Sequence, residues 1–188
     1  MPERAVGVMG GTFDPIHYGH LVAASEVADR FELDEVVFIP TGQPWQKRTA
    51  ASGEDRYLMA VLATAADPRF TVSRMEIDRD GPTYTIDTLE QLGVSRPFLI
   101  AGADAVSGLT TWRRYEDVLR LARVIAVTRP DHAIGLDHLP SGSVTSIEIP
   151  ALAISSTQIR ERVAAGRPTA YLVPQPVAAY IGKRGLYR

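Results

Sequence analysis

The sequence predicts an α/β fold, Rossmann-like and doubly wound, with a mostly parallel sheet and helices on both faces. Three observations carry this expectation. Short, wholly apolar runs suit strands buried on both sides, helix-forming segments alternate with them, and the N-terminal region reads as strand, glycine loop, helix, strand. Ala5 to Met9 is an apolar run ending at Gly10-Gly11, and Leu21 to Phe31 follows with apolar residues at Leu21, Ala24, Val27, Ala28 and Phe31. Glu35 to Ile39 (EVVFI) is the second strand, stopped by Pro40, and a right-handed crossover is expected between the two. Glu54 to Ala66 reads as a helix with Ser52 as a candidate N-cap, Phe70 to Ser73 as extended, and Thr85 to Leu92 as a short helix that Gly93 can end. Phe98 to Ala101 (FLIA) and Val124 to Val127 (VIAV) are further inner strands flanking a helical stretch at Glu116 to Leu121. Asp131 to Ser143 is rich in Pro, Gly, Ser, His and Asp and reads as a mobile surface loop. Val144 to Ile149 returns to strand-like alternation, and helices are expected at Thr157 to Ala165 and Val177 to Ile181. With no internal repeat, the 188 residues are expected to form one domain, with ligand in the crevice at the carboxyl ends of the strands.

Composition narrows the function. A formal net charge of −2 gives no basic field over the molecule, so nucleic acid is not an expected partner and any anion site must be local. No apolar run approaches the roughly 20 residues of a membrane span, and no leader-like segment opens the chain, so no membrane association is expected. The absence of cysteine removes disulfides, thiolate metal sites and thiol catalysis together, and it fits a reducing, cytoplasmic setting.

The most informative stretch is Gly10-Gly11-Thr12-Phe13-Asp14-Pro15-Ile16-His17-Tyr18-Gly19-His20, between the first strand and the first helix. Gly10 and Gly11 let backbone approach a ligand, Asp14-Pro15 turns the chain, and the helix start directs N–H groups and its positive dipole end at an anion. His17 and His20, three apart, share a face from which both can donate to phosphate oxygens. Far along the chain, Ile154-Ser155-Ser156-Thr157-Gln158-Ile159-Arg160 places three hydroxyl residues at a helix start and an arginine one turn in. By itself this stretch reads as a helix capped by Ser155 or Ser156 with Arg160 solvated; paired with the first motif, its hydroxyls, free amides and the Arg160 guanidinium read as a triphosphate cradle.

GGTFDPIHYGH resembles the signature of the nucleotidyltransferase superfamily with a His-x-Gly-His element, in the form of its adenylyltransferase branch, and ISSTQIR is similar to that family's C-terminal phosphate-binding motif. Between them, Tyr84-Thr85-Ile86-Asp87-Thr88-Leu89 and Gly102-Ala103-Asp104, followed by Leu109 and Trp112, resemble the nicotinate mononucleotide adenylyltransferases, and the resemblance spans essentially the whole chain. It implies transfer of the adenylyl group of ATP to nicotinate mononucleotide, with release of pyrophosphate, in NAD biosynthesis. It further implies an ATP site made of Gly10, Gly11, Thr12, Phe13, His17, His20, Gly102, Asp104, Ile154, Ser155, Ser156, Thr157 and Arg160, completed by a C-terminal helical part at about 150–188. The mononucleotide site would comprise Gly11, Thr12, Lys47, Tyr84, Thr85 and Trp112. Tyr84 and Trp112 can flank a flat pyridine, although a core role for Trp112 serves as well, while Thr85 and main-chain amides can bind its carboxylate.

The sequence departs from the family in the loop Pro40 to Lys47, where Trp45 and Gln46 stand in place of the usual proline and histidine before Lys47. Trp45 suits an aromatic lid, a surface position or a contact between copies, and a homo-oligomer stays open. Arg129-Pro130-Asp131 lacks the family's glycine after proline, and His132 and His138 read as solvated loop residues. The acceptor's phosphate is ionised near neutral pH, so no general base is needed. Catalysis is expected from positioning and charge neutralisation by His17, His20, Lys47 and Arg160, with magnesium held by the triphosphate and no metal-binding side chains. Competing readings keep the fold with another acceptor, phosphopantetheine or the amide mononucleotide, or make the protein a non-catalytic nucleotide sensor. Hydride transfer is set aside because G-x-G-x-x-G is absent after the first strand.

Overall fold

The computed structural model of the chain describes residues 4–44, 48–130, 135–150 and 152–188. Six strands form one sheet in the order β3-β2-β1-β4-β5-β6, and all five pairings are parallel. In chain order they are β1 (Val6–Gly11), β2 (Glu35–Pro40), β3 (Phe70–Val72), β4 (Phe98–Gly102), β5 (Arg123–Thr128) and β6 (Val144–Glu148). The helices are α1 (Tyr18–Arg30), α2 (Gly53–Thr64), α3 (Thr85–Leu92), α4 (Ala103–Ser107), α5 (Tyr115–Leu121), α6 (Ser156–Ala164) and α7 (Gln175–Arg184), with a 3-10 turn at Leu109–Thr111.

Strand alternation sorts the core onto the two faces of the sheet. Met9, Phe38, Ile100, Ile125 and Ile147 face α1, α2, α6 and α7, where Val27, Met59, Ile159 and Ile181 meet them. Val6, Val8, Ile39, Leu99 and Val124 face α3, α4 and α5, where Ile86, Leu89, Val106 and Val118 pack. The doubly wound expectation therefore holds, with no antiparallel strand among the described residues.

Local chemistry sets the element ends. Ser52 caps α2 by accepting the Asp55 amide at 3.1 Å, and Gly93 ends α3 in the left-handed region at φ 66°. Three expectations are corrected. α1 begins at Tyr18, three residues before the apolar periodicity, because His17 caps it. α7 runs from Gln175 to Arg184, longer than the apolar core at Val177 and Ile181, because Pro176 suits its first turn and Gly185 stops it. Residues 103–111, read only as ligand-contacting sequence, form α4 and the 3-10 turn. In the expected loop, Leu139 is buried and His138 exposed, whereas Asp131 and His132 lie outside the described residues. No helix among the described residues is long and apolar enough to cross a membrane.

β1 and β4 are neighbours at the centre of the sheet, and their connections leave in opposite directions, to β2 and to β5. That reversal opens a crevice at the carboxyl ends of β1 and β4.

Candidate active site

The crevice holds two connected hollows that share Gly10, Gly11, Thr12, Ala101, Gly102 and Ala105. The larger, a cleft of about 820 Å³, runs under the starts of α1 and α6. It is lined by Gly10, Gly11, Thr12, Phe13, His17, His20, Gly102, Asp104, Ile154, Ser155, Ser156, Thr157 and Arg160, so the residues expected at ATP come together from three separate stretches of sequence. The smaller, about 240 Å³, lies toward α3 and holds Gly11, Thr12, Tyr84, Thr85 and Trp112. Lys47, Trp45 and Gln46 lie outside the described residues.

The loop after β1 is shaped by its own side chains. A Cβ on Gly11 would come within 2.7 Å of the Phe13 ring, so only glycine lets Phe13 fold back beneath the loop. Gly10 differs, since a Cβ there meets nothing within 4 Å. Strand alternation puts that empty space on the face of Val6 and Val8, toward the smaller hollow.

His17 and His20 form a capping box of an unusual kind. The Gly19 amide donates to His17 Nδ1 at 3.1 Å, and the His17 amide donates to His20 Nδ1 at 3.2 Å. Both Nδ1 atoms are acceptors, so in each neutral ring the proton sits on Nε2. The rings stack at 3.8 Å, with Phe13 edge-on to His20 at 5.1 Å. Burial lowers the pKa of His17 to about 4, and burial together with His17 holds His20 well below the usual histidine value. Near neutral pH the pair is uncharged and offers two N–H donors.

The second motif builds the cleft differently from the expectation that all three hydroxyls face a ligand. The Ser155 hydroxyl caps α6, accepting the Gln158 amide at 3.2 Å, and the Ser156 hydroxyl donates to the Pro15 carbonyl at 2.8 Å. Arg160 donates to the Asp14 carbonyl at 2.8 Å and to the Thr157 hydroxyl at 3.2 Å. Two of the hydroxyls therefore fix α6 and its first amides against the first motif, across the cis Asp14-Pro15 peptide. A helix N-terminus held there presents free N–H groups to the cleft.

Several residues of the site carry no contiguous motif. Arg48 and Arg129 add cations to the cleft. Arg56, fully buried on α2, donates to the Thr12 carbonyl at 2.8 Å and to the Gly42 carbonyl at 3.1 Å, tying together the loops that follow β1 and β2. Burial opposes its charge, and the Asp14 carboxylate, with a smaller contribution from Glu76, offsets that cost. Gly42 is required where it lies, because a Cβ would stand 1.9 Å from the Glu76 carbonyl. In the smaller hollow, Glu76 is buried and accepts the Thr88 hydroxyl at 2.6 Å, and burial raises its carboxyl pKa. The Arg113 guanidinium stands 4.9 Å over the Tyr84 ring. Trp112 serves both readings given to it, lining this hollow while packing on the α3, α4 and α5 core. The signal for Arg113 was its position beside Trp112; Arg56 and Glu76 gave none.

The cytidylyltransferase-like family model matches residues 8–162. A relative from Streptomyces coelicolor, named a probable nicotinate-nucleotide adenylyltransferase, is 60% identical over 186 residues, covering 96% of this chain and 99% of its own length. One of the same name from Leifsonia xyli subsp. xyli is 58% identical over 187 residues, covering 97% and 94%. Among solved structures, Plasmodium falciparum nicotinic acid mononucleotide adenylyltransferase complexed with NaAD superposes with a TM-score of 0.80 over 98% of both chains at 20% identity, a likeness of fold. The chain thus belongs to the cytidylyltransferase-like family and, within it, to the nicotinate-nucleotide adenylyltransferases.

Proposed function

We propose that the protein joins the adenylyl group of ATP to nicotinate mononucleotide, giving nicotinate adenine dinucleotide and pyrophosphate, the step that makes the dinucleotide precursor of NAD. The observation that carries this reading is the meeting of two unlike hollows at Gly10 to Thr12 and Gly102. One is long and lined by N–H donors and arginines; the other is small and lined by Tyr84 and Trp112. A triphosphate suits the first and a pyridine the second, and their shared wall is where the two phosphates must react.

In this reading the acceptor phosphate attacks the α-phosphorus in line as pyrophosphate leaves, and no side chain needs to take a proton. Charge moves to the β- and γ-phosphates. His17 and His20 meet it as neutral Nε2–H donors and Arg160 as a cation, with Arg48 and Arg129 as further cations of the same cleft and Lys47 as the cation expected from the sequence of the loop after β2. The α6 amides come from the C-terminal part, about 150–188, which completes the ATP site within a single domain. Asp104 and Gly102 lie against the nucleoside half. At the acceptor end, Thr85 begins α3 and Arg113 stands over Tyr84, so an N–H-bearing helix start and a guanidinium are at hand for the nicotinate carboxylate.

Among the described residues no group of three His, Asp or Glu side chains is placed to hold a metal. Donors of N–H and guanidinium type suit a triphosphate that would bring its own magnesium ion, and that ion would supply neutralisation of phosphate charge.

The test is pyrophosphate release by the purified protein with ATP and magnesium, offering nicotinate mononucleotide, nicotinamide mononucleotide or phosphopantetheine in parallel. Strong preference for the nicotinate compound is expected. Preference for another acceptor overturns the assignment of Tyr84, Thr85, Trp112 and Arg113, and release with none of them overturns the reaction.

A further inference from the structure

The segment after α7 comes back to the phosphate loop. Beyond Gly185, Tyr187 is held at φ 64°, a left-handed conformation that disfavours any residue with a Cβ. Its ring packs on the α1 and α2 side of the core, and its hydroxyl donates to Asp14 Oδ1 at 2.7 Å. Asp14 is buried, and its carboxylate also accepts the Ala50 amide at 2.6 Å and the Ala51 amide at 3.1 Å. The backbone of this residue and the next receives the second motif, Arg160 on the Asp14 carbonyl and Ser156 on the Pro15 carbonyl, both at 2.8 Å. Two residues later the chain reaches His17.

We propose that Tyr187 is a positioning residue of the phosphate cleft: its hydroxyl fixes the Asp14 side chain, and through it the carbonyls on which Arg160 and Ser156 dock. The proposal rests on the reading of the cleft as the ATP site. Three donors from two directions define where a buried carboxylate lies; with the two amides alone, Asp14 is held from the Ala50 side only. The Asp14 and Pro15 carbonyls then lose their fixed register with α6, and the donors on either side of the leaving group no longer match its geometry. The acceptor pocket lies across the shared wall from this contact, so the loss falls on turnover and spares acceptor binding.

The same C-terminal region supplies its own control. Tyr180 on α7 donates to Asp55 Oδ1 at 2.8 Å, beside Arg184 at 3.1 Å, a bond of the same kind that anchors α7 to α2 and touches no residue of the cleft motifs. Tyr187→Phe and Tyr180→Phe are each expected to lower Tm by about 2–4 °C. Only Tyr187→Phe is expected to lower kcat, by about tenfold, with KM for nicotinate mononucleotide within twofold of wild type. Asp14→Asn should lower kcat at least as far, because it also weakens the bonds to the Ala50 and Ala51 amides, and adding Tyr187→Phe to it should bring no further loss. A second readout needs no turnover: inorganic pyrophosphate should raise the Tm of wild type and of Tyr180→Phe, and do so much less for Tyr187→Phe. Equal kcat losses in the two phenylalanine variants, additive losses with Asp14→Asn, or an undiminished pyrophosphate shift in Tyr187→Phe overturns the proposal. If wild type releases no pyrophosphate, the proposed reaction falls while the pyrophosphate shift still decides the role of Tyr187. A wild type that pyrophosphate does not stabilise overturns the cleft as a pyrophosphate site, and the role of Tyr187 with it.

Discussion

His17 is an N-cap whose capping atom titrates, and this gives the fold a definite acid sensitivity. The Gly19 amide donates to His17 Nδ1, so protonating that nitrogen removes the acceptor, and burial holds the folded-state pKa near 4 against an ordinary 6.5. Between these values the unfolded chain binds a proton that the folded chain refuses. Stability therefore rises with pH across the window and is lost as pH falls from about 6.5 toward 4. For one site with these two pKa values, the loss from pH 7 to pH 5 is about 2 kcal/mol, approaching a slope of about 1.4 kcal/mol per pH unit. His17→Asn keeps a good capping side chain and removes the titration, so it isolates this contribution. Urea unfolding of both proteins at pH 7, 6 and 5 should show wild type losing about 2 kcal/mol more than His17→Asn over that span. His20 responds in both proteins through its own burial, and the part of its shift that His17 causes is lost in His17→Asn and adds to the difference in the same direction. Parallel pH profiles would refute the lowered pKa of His17, and with it the neutral ring from which His17 is read as donating to phosphate.

Three further perturbations separate the roles of other residues. His20→Ala should lower turnover on the order of 10- to 1,000-fold while changing the Michaelis constants far less, as read from steady-state pyrophosphate release; near-normal turnover would remove His20 from the reaction. Gly10→Ala should leave the urea midpoint unchanged or slightly raised, because a Cβ there meets no protein atom, yet raise KM for nicotinate mononucleotide about tenfold or more by filling the wall between the hollows. Arg56→Met leaves the Thr12 and Gly42 carbonyls without their buried donor and should cost about 2–4 kcal/mol in urea unfolding; a loss below about 0.5 kcal/mol would show that the guanidinium is not what joins the two loops.

The sheet was legible because parallel inner strands are apolar on both faces: EVVFI, FLIA and VIAV need no periodicity to be recognised, and each lies within a strand. Helix boundaries were legible where ordinary capping chemistry marks them, as Ser52 and Gly93 do. They were not where the cap is unusual or the helix too short to show a stripe. The start of α1 depends on histidines doing work usually given to Ser, Thr or Asp, and α4 buries Val106 alone, with Leu109 in the turn that follows.

The candidate site divides along the same line. Residues that would touch phosphate sit in contiguous strings whose order reflects one loop or one helix start, so the first string brought His17 and His20 to attention, and its pairing with the second brought Arg160. Residues that hold those strings in place have no local signature. Arg56 lies in the first turn of α2, where an arginine reads as solvated, and its burial follows from carbonyls 44 and 14 positions away. Tyr187 meets Asp14 across 173 positions. What these side chains hold is mostly main chain: the carbonyls of Thr12, Asp14, Pro15 and Gly42, and the amides of Ala50 and Ala51. A backbone group offers the same hydrogen bond whatever its side chain, so the positions where these bonds end impose little on residue identity, and only the buried donors and acceptors at the other ends are chemically distinctive. The path of the phosphate loop is therefore encoded at a distance, by one arginine on α2, one aspartate in the loop and one tyrosine beyond α7. Substitutions at those three positions should disturb the geometry of the cleft without removing any group that meets the substrate.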